Sequence, residues 1–158
     1  MGTRCGDIDP AIIEFIAHKE GKSIDEIMNI LNKKSGFQGI FGNSDCRNVG
    51  DAAKAGDPKA ILAQKMLGNA VKRYIGSFTA ELNGVDAVVF TGGIGEHDST
   101  IRGMALSELE NFGIKLDAAR NSEVNGTGMI STDDSPIQVW VIPTDEEYMI
   151  ALDTQKLA

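Results

Sequence analysis

The sequence contains few of the residues that metal clusters and disulfide frameworks require. Its 158 residues include only two cysteines and two histidines. Cys5 and Cys46 are far along the chain from His18 and His97, which argues against a metal cluster built from these four residues. The sequence does not begin with a signal-peptide pattern, so we expect both thiols to be free in a reducing cytoplasm.

Positive charge and long apolar runs are also scarce. Lysine and arginine together number 15 against 23 aspartates and glutamates, which gives a net charge of −8 at pH 7. A nucleic-acid-binding protein needs a basic face, so we expect no nucleic-acid partner. No apolar run approaches the ~18 residues of a transmembrane helix, so we expect no membrane partner. An anionic ligand would have to be held by local donors, because the overall field repels it.

The hydrophobic pattern is typical of an α/β protein with a thin sheet. Strong strands are predicted at 86–90 and 137–142, and weak strands at 39–41 and near 129–130. A self-contained doubly wound domain usually has more strands than this. We therefore expect the first strands of the sheet to lie upstream of residue 1. Helix-capping residues and glycines mark the ends of five predicted helices, at about 10–20, 24–31, 58–82, 99–112 and 145–156.

The most informative stretch joins the strong strand at 86–90 to the helix at 99–112. The run at 87–90 is short and rich in β-branched residues, which favours a strand buried on both faces. Glycines then stand at 92, 93 and 95, where a ligand can approach the main chain because no Cβ intervenes. A strand, a glycine turn and a helix present backbone N–H groups to an anion in many parallel sheets. The alternative is that these glycines only form a tight turn.

Two short motifs resemble known nucleotide signatures without completing them. Gly21-Lys22-Ser23 matches the end of a phosphate loop, but Ile16 occupies the position of the first glycine and a predicted helix precedes the motif. A turn between two helices, with Ser23 as N-cap, is therefore the better interpretation. Gly93-Ile94-Gly95 could begin a dinucleotide fingerprint, but Asp98 stands where the third glycine belongs.

Three further places carry candidate functional side chains. Glu146 follows the second strong strand, where a carboxylate suits Mg²⁺, although acidic residues also favour a helix N-terminus. Thr144 is predicted to cap the final helix, with Glu147 completing a capping box. Arg4 lies between glycines and could contact phosphate, whereas a lone arginine is more often solvated. Asp45 and Arg47 could equally form a surface ion pair of small energetic value.

Four blocks of the sequence stand out, at residues 1–10, 32–36, 90–96 and 141–147. They resemble the acetate kinase family, and their order and spacing match its carboxyl-terminal half. The resemblance covers nearly the whole chain. It implies that residues 1–158 are the carboxyl-terminal nucleotide-binding domain, with a ribonuclease-H-like fold of the actin-like ATPase superfamily that is truncated at its N-terminal strands. The amino-terminal domain is then expected to be absent. The four blocks are MGTRCGDIDP at 1–10, NKKSG at 32–36, FTGGIGE at 90–96 and VIPTDEE at 141–147.

The same resemblance implies a function and a set of site residues. The family transfers phosphate between ATP and acetate with Mg²⁺, giving acetyl phosphate and ADP, usually as a cytoplasmic homodimer. Carried over by position, Arg4 stabilises the transferring phosphoryl group and Glu146 is the magnesium-associated carboxylate. The implied nucleotide-binding residues are Asp45, Cys46 and Arg47 in one loop and Gly93, Ile94, Gly95, Glu96 and His97 in another.

The sequence also departs from the family pattern. Members typically have asparagine at the positions of His97 and Asp145 and a bulky apolar residue at that of Cys46, which bears on nucleotide preference. The family's acetate pocket lies in its amino-terminal half, so we expect the isolated chain to be inactive. A propionate or butyrate kinase domain and a non-catalytic nucleotide-binding module remain alternatives. The presence of Arg4 and Glu146 favours an enzyme over the module.

Overall fold

The computed structural model describes residues 1–157, which form two compact units that meet in sequence between residues 67 and 68. The longest helix contributes to both. None of the helices in residues 1–157 combines the length and the apolar composition needed to cross a bilayer. The helices are α1 (Pro10–Glu20), α2 (Ile24–Lys33), α3 (Gly36–Ile40), α4 (Cys46–Lys54), α5 (Pro58–Glu81), α6 (Gly92–His97), α7 (Ser99–Leu106), α8 (Ala118–Glu123) and α9 (Glu146–Leu157), and the strands are β1 (Ala87–Phe90), β2 (Gly128–Met129) and β3 (Gln138–Val141).

Local capping residues determine where the first two helices of the first unit begin and where α1 ends, as the sequence predicts. The Asp9 carboxylate accepts a hydrogen bond from the Ala11 N–H at 2.9 Å, and Gly21 ends α1 in the left-handed conformation. Ser23 and Glu26 form a reciprocal capping box at the start of α2. The segment 21–23 is therefore a turn between two helices, and the phosphate-loop interpretation is excluded because α1, not a strand, precedes it.

The predicted strand at 39–41 is wrong, because Gly36–Ile40 is helical and α4, which the sequence did not predict, follows it. Phe37 on α3 and Val49 on α4 are both buried in the core of the first unit. Each helix is so short that its apolar side chains do not establish a helical period in the sequence. Their structure becomes clear only from what they pack against.

The amino-terminal segment of the first unit is held by backbone hydrogen bonds. The Cys5 N–H donates to the Leu31 carbonyl at 2.8 Å, and the Ser35 N–H donates to the Thr3 carbonyl at 2.9 Å. Gly36 has a φ of +57°, and a Cβ there would collide with the Met1 carbonyl oxygen. The same Cβ would lie 2.8 Å from the Arg4 carbonyl oxygen. Glycine at position 36 is therefore required both by backbone conformation and by the close approach of this segment.

A small mixed sheet organises the second unit. The strand order is β1-β3-β2, with β1 parallel to β3 and β2 antiparallel to it. Phe90 lies opposite Val141, so the carboxyl ends of the two parallel strands share one edge. The α/β prediction, both strong strands and the weak edge strand near 129–130 are confirmed.

The prediction that the 87–90 strand is buried on both faces is wrong. In the described chain β1 is an edge strand, and half of the Val89 side chain is exposed. The central strand is β3, whose Val139 and Val141 are buried in the core of the unit. A β-branched run therefore identified a strand but not its position in the sheet.

Three other elements of the second unit differ from expectation. The predicted glycine turn at 91–97 contains the short helix α6, and the predicted helix 99–112 ends at Leu106. A 3₁₀ turn then covers Glu110–Phe112 before Gly113, which has a φ of +92°. The sequence predicts a surface excursion over 117–134 with an edge strand near 129–130, but the segment also contains α8, which Asp117 caps by accepting hydrogen bonds from two N–H groups. Asp98 caps α7 as predicted.

The apolar stripe of α5 is only partly core. Ala60 and Ala63 are buried in the first unit, and Val71 and Ile75 pack against the core of the second. The three- and four-residue spacing of apolar residues over 58–82 predicts a stripe that is all core, but three of its members are exposed. They are Tyr74, Phe78 and Leu82.

We predict that Gly36→Ala destabilises the first unit more than Gly21→Ala does. Both glycines have a positive φ, but a Cβ at Gly21 meets nothing within 4 Å. Holding an alanine in the left-handed conformation costs about 1–2 kcal/mol by itself. The collision at Gly36 should raise the total cost to about 3 kcal/mol. Denaturant unfolding of both variants measures the difference, and equal destabilisation would contradict the proposed packing.

Candidate functional site

Arg4 lies in the amino-terminal segment of the first unit, beside the loop that contains Asp45. A Cβ at Gly2 would lie 3.1 Å from the Ser44 carbonyl oxygen, so the two segments run close together. The Arg4 side chain is exposed and makes no hydrogen bond or ion pair with another residue in 1–157. Its guanidinium is therefore available for an anion. Its role with a phosphoryl group remains a prediction.

Asp45 and Arg47 form a well-oriented ion pair at the start of α4. The Asp45 carboxylate accepts hydrogen bonds from Arg47 Nε at 3.0 Å and Nη2 at 2.6 Å. It also accepts one from the Arg47 backbone N–H at 2.9 Å, which makes Asp45 the N-cap of α4. These bonds, led by the one from the Arg47 side chain, lower the pKa of Asp45 to about 2. The arrangement orients a largely exposed guanidinium, while contact with adenosine remains a prediction.

Cys46 is half-buried and packs against the core cluster that includes Phe37 and Val49. Neither Cys5 nor Cys46 forms a disulfide within residues 1–157. Because its side chain takes part in packing, Cys46 contributes first to the position of the loop. Its place among nucleotide-binding residues stays a prediction.

The glycines of α6 differ in how strongly the fold requires them. Gly92 has a φ of +70°, which strongly favours glycine. Gly93 has an ordinary φ, and a Cβ there would meet nothing within 4 Å. A Cβ at Gly95 would lie 3.4 Å from a Phe90 backbone carbon, an ordinary van der Waals contact. The turn therefore explains only the first of the three glycines.

The side chains of α6 face two different environments. Ile94 and His97 are exposed, and the His97 ring lies 4.0 Å from the Glu96 carboxylate. The Glu96 side chain is only 13% exposed. Its Oε1 accepts hydrogen bonds from the Thr144 N–H at 3.1 Å and the Thr144 Oγ1 at 3.2 Å. These bonds, led by the one from the Thr144 N–H, lower the pKa of Glu96. Glu96 thus ties α6 to the segment before α9.

The prediction that Thr144 caps the last helix is wrong. Its N–H and hydroxyl are bonded to Glu96. The N-cap is Asp145, whose carboxylate accepts a hydrogen bond from the Tyr148 N–H at 3.1 Å. Glu146 is the first residue of α9 and is exposed. The structure therefore brings the glycine-rich segment and the start of α9 to one edge of the sheet.

The chemistry of Glu146 fits magnesium better than a structural metal. No group of three or more His, Cys, Asp or Glu side chains within residues 1–157 is arranged to hold a metal ion. Mg²⁺ needs only one or two protein carboxylates, because water and phosphate oxygens complete its octahedron. The Glu146 carboxylate has no hydrogen-bond or ion-pair partner in the described chain, so it could act as such a ligand.

Sequence reasoning missed Arg102, which is 2% exposed. Its Nη1 donates hydrogen bonds to the carbonyl oxygens of Gly95 and Glu96, both at 2.9 Å. Its Nε and Nη2 donate to Asn121 at 2.8 and 2.7 Å. Burial lowers the pKa of Arg102. The available signal was helical spacing, because position 102 shares a face with the apolar residues at 105 and 106.

The acetokinase family model matches residues 1–152. The acetate kinase of Thermoanaerobacter pseudethanolicus is 49% identical over 99% of this chain and 40% of its own length. That of Thermoanaerobacterium thermosaccharolyticum is 51% identical, with the same coverage of both chains. The chain thus spans about 40% of the length of the curated relatives it matches.

Solved structures give a similar result. Acetate kinase from Porphyromonas gingivalis superimposes with a TM-score of 0.93 at 43% identity, covering 99% of this chain and 40% of that one. A propionate kinase from Francisella tularensis has a TM-score of 0.88, also at 43% identity, over 96% of this chain and 38% of that one.

We predict that Asp45→Asn flattens the acid dependence of stability in the first unit. Arg47 lowers the pKa of the folded-state carboxyl from 3.8 to about 2. A lowered pKa contributes stability above pH 3.8 that is lost as the pH falls through 2. Asparagine keeps the capping oxygen but cannot titrate.

Urea unfolding between pH 4.5 and 2 measures this dependence. Asp51→Asn is the matched control, because Asp51 is also on α4 but lies 3.7 Å from Lys54 in a highly exposed pair. Equal pH slopes for wild type and Asp45→Asn would contradict the prediction.

Proposed function

This chain belongs to the acetokinase family, and we propose that it is the carboxyl-terminal, nucleotide-binding part of a kinase acting on acetate. The reaction is transfer of phosphate between ATP and acetate, which gives acetyl phosphate and ADP. The proposal includes a ribonuclease-H-like fold, residues 1–158 as one such domain, a cytoplasmic location and a homodimeric whole enzyme. Support comes from the family match over residues 1–152 and from the similarity to acetate kinases along 99% of the chain.

The observation that carries the proposal is the arrangement at the carboxyl edge of β1 and β3. The fold has room for a Cβ at both Gly93 and Gly95, so it does not require glycine at either position. The exposed carboxylate of Glu146 follows the neighbouring strand. Open α/β sheets bind ligands at this edge. A glycine that the fold does not require leaves room for a ligand against the main chain. We propose that the segment 93–97 contacts the nucleotide there.

The chemistry requires little beyond positioning and charge neutralisation. Acetate is already ionised near neutral pH, so no strong general base is needed for its attack on phosphorus. The exposed Arg4 guanidinium would neutralise charge on the phosphoryl oxygens. Asp45, Cys46 and Arg47 would contact the adenosine. Glu146 would help to hold Mg²⁺, which when bound neutralises phosphate charge.

A propionate acceptor is the second candidate. The propionate kinase from Francisella tularensis is as similar in sequence to this chain as the acetate kinase from Porphyromonas gingivalis, with 43% identity in both cases. Sequence identity at this level does not distinguish a kinase for acetate from a kinase for propionate, because the two acids differ by only one methylene group. We propose that the acyl pocket lies in the part of the relatives that this chain does not match.

We predict that Gly93→Ala weakens nucleotide binding without weakening the fold. Alanine at an unstrained, open helical position stabilises a protein by about 0.4–1 kcal/mol, so Gly93→Ala should unfold no earlier than wild type. The added methyl group would nevertheless obstruct a ligand lying against the main chain. NMR titration with MgADP should show shifts at the amides of 93–95 and at least fivefold weaker binding in the variant.

Gly76→Ala is the matched control for this experiment. Gly76 lies within α5, and a Cβ there also meets nothing within 4 Å. The Gly76→Ala variant should unfold no earlier than wild type, and its affinity for MgADP should be unchanged. The proposed contact is contradicted if Gly93→Ala binds as tightly as Gly76→Ala.

We also predict that the 158-residue chain alone forms no acetyl phosphate and binds nucleotide weakly. Its 40% share of the relatives' length is not expected to include the acetate pocket. A coupled assay with ATP, Mg²⁺ and acetate measures turnover. Turnover by the chain alone would contradict this placement of the pocket, and tight MgATP binding without turnover would favour a non-catalytic binding module.

A further inference from the structure

We propose that Arg102 is a positioning residue that fixes the shape of the glycine-rich segment 93–97. The structural part of this inference depends on contacts within the second unit alone. Its consequence for nucleotide affinity rests on the function proposed above, because that function assigns the segment to the nucleotide.

The contacts of Arg102 converge on the carboxyl end of α6. A single nitrogen, Nη1, donates to both the Gly95 and Glu96 carbonyl oxygens at 2.9 Å. The last carbonyls of a helix have no partner within the helix, and the helix dipole makes this end favourable for a cation. The guanidinium therefore satisfies two oxygens that α6 cannot satisfy itself.

Asn121 holds the other side of the guanidinium. Its side-chain oxygen accepts from Arg102 Nε at 2.8 Å, and its backbone carbonyl accepts from Nη2 at 2.7 Å. Its Nδ2 donates to the Ser99 carbonyl at 2.9 Å. Asn121 is itself 7% exposed. The arginine is thus fixed between α6 and α8, and it cannot turn without breaking several buried hydrogen bonds.

Lysine cannot replace this arginine. Its ammonium is a compact group at the end of a flexible chain, whereas the guanidinium presents donors in a rigid planar fork. The Arg102→Lys variant would retain the positive charge, but its ammonium could not reach Asn121 and both carbonyls together. Buried carbonyls without donors are unfavourable, so the end of α6 should loosen.

Glu96 shows why this end of α6 matters. Its backbone carbonyl accepts from Arg102, while its carboxylate accepts from Thr144. The segment is therefore held through its main chain on one side and through a side chain on the other. Restraints that hold the segment in one conformation lower the ordering cost of binding.

Hydrogen exchange on the 158-residue chain tests the structural part. In Arg102→Lys, the amides of 95–98 should exchange at least tenfold faster, including that of Asp98, which donates to the Ile94 carbonyl. Amides of β3 should keep their wild-type rates. Unchanged rates at 95–98, or equal acceleration in β3, would overturn the proposal, since the latter indicates only global destabilisation.

Arg120→Lys is the matched control. Arg120 is on α8, and its Nη1 donates to the Ser131 carbonyl and pairs with Asp133, both at 2.8 Å. Loss of the Arg120 guanidinium should accelerate hydrogen exchange of the amides near 131–133 and leave the exchange rates at 95–98 unchanged. If Arg102→Lys does not fold, Asn121→Ala serves instead, because it removes the side-chain bond to Arg102 Nε and keeps the backbone carbonyls of Gly95, Glu96 and residue 121 as acceptors. It should accelerate exchange at the same amides by a smaller factor, and wild-type rates there would overturn the proposal.

Titration with MgADP tests the consequence for nucleotide. The apparent Kd, followed at the amides of 93–95, should rise at least tenfold in Arg102→Lys and stay unchanged in Arg120→Lys. Equal affinity in Arg102→Lys and wild type would overturn the link to nucleotide. If the wild-type chain shows no shift at these amides, the proposed function and that link both fail, while hydrogen exchange still decides whether Arg102 holds the segment.

Discussion

The parallel pairing of β1 with β3 is the constraint on which the rest of the candidate site in the second unit depends. The register places Phe90 opposite Val141, and the Ile142 N–H donates to the Phe90 carbonyl at 3.0 Å. The chain therefore leaves β1 and β3 at the same edge of the sheet. For this reason the glycine-rich helix α6 meets the segment that leads to Glu146, and Glu96 accepts hydrogen bonds from Thr144, 48 residues further along the chain. An antiparallel pair would have put them at opposite ends.

Hydrogen bonds to main-chain atoms then fix what the pairing brings together. Buried polar groups are stabilised when each has a partner, and every buried side-chain nitrogen and oxygen in the described chain has one. Arg102 satisfies carbonyls at the end of α6, and Glu96 accepts from the N–H of Thr144. Two positions stay open: a Cβ at Gly93 would meet nothing within 4 Å, and the Glu146 carboxylate has no hydrogen-bond partner in the described chain. A site with fixed surroundings and open contact positions is suited to a ligand.

Much of this could be predicted where the physical cause is local. Asp9, Ser23 and Asp98 cap their helices because a short side chain meets nearby N–H groups, and such caps can be identified within four residues. Prediction was wrong where the cause is distant. Thr144 does not cap α9 because it bonds Glu96, and Val89 is half exposed although it belongs to a β-branched run. Arg102 was missed because an arginine on a helix is usually solvated, and only its spacing with apolar neighbours indicates burial.

The central claim is that nucleotide phosphate and its divalent ion bind at the carboxyl edge of β1 and β3. Mn²⁺ in place of Mg²⁺ tests it directly, because bound Mn²⁺ broadens the NMR signals of nearby amides. With ADP and Mn²⁺ added, the account predicts much stronger broadening at 92–97 and 144–147 than at 84–86 and 135–137, where the same strands begin. Selective broadening at 84–86 and 135–137, with sharp signals at 92–97, would contradict it.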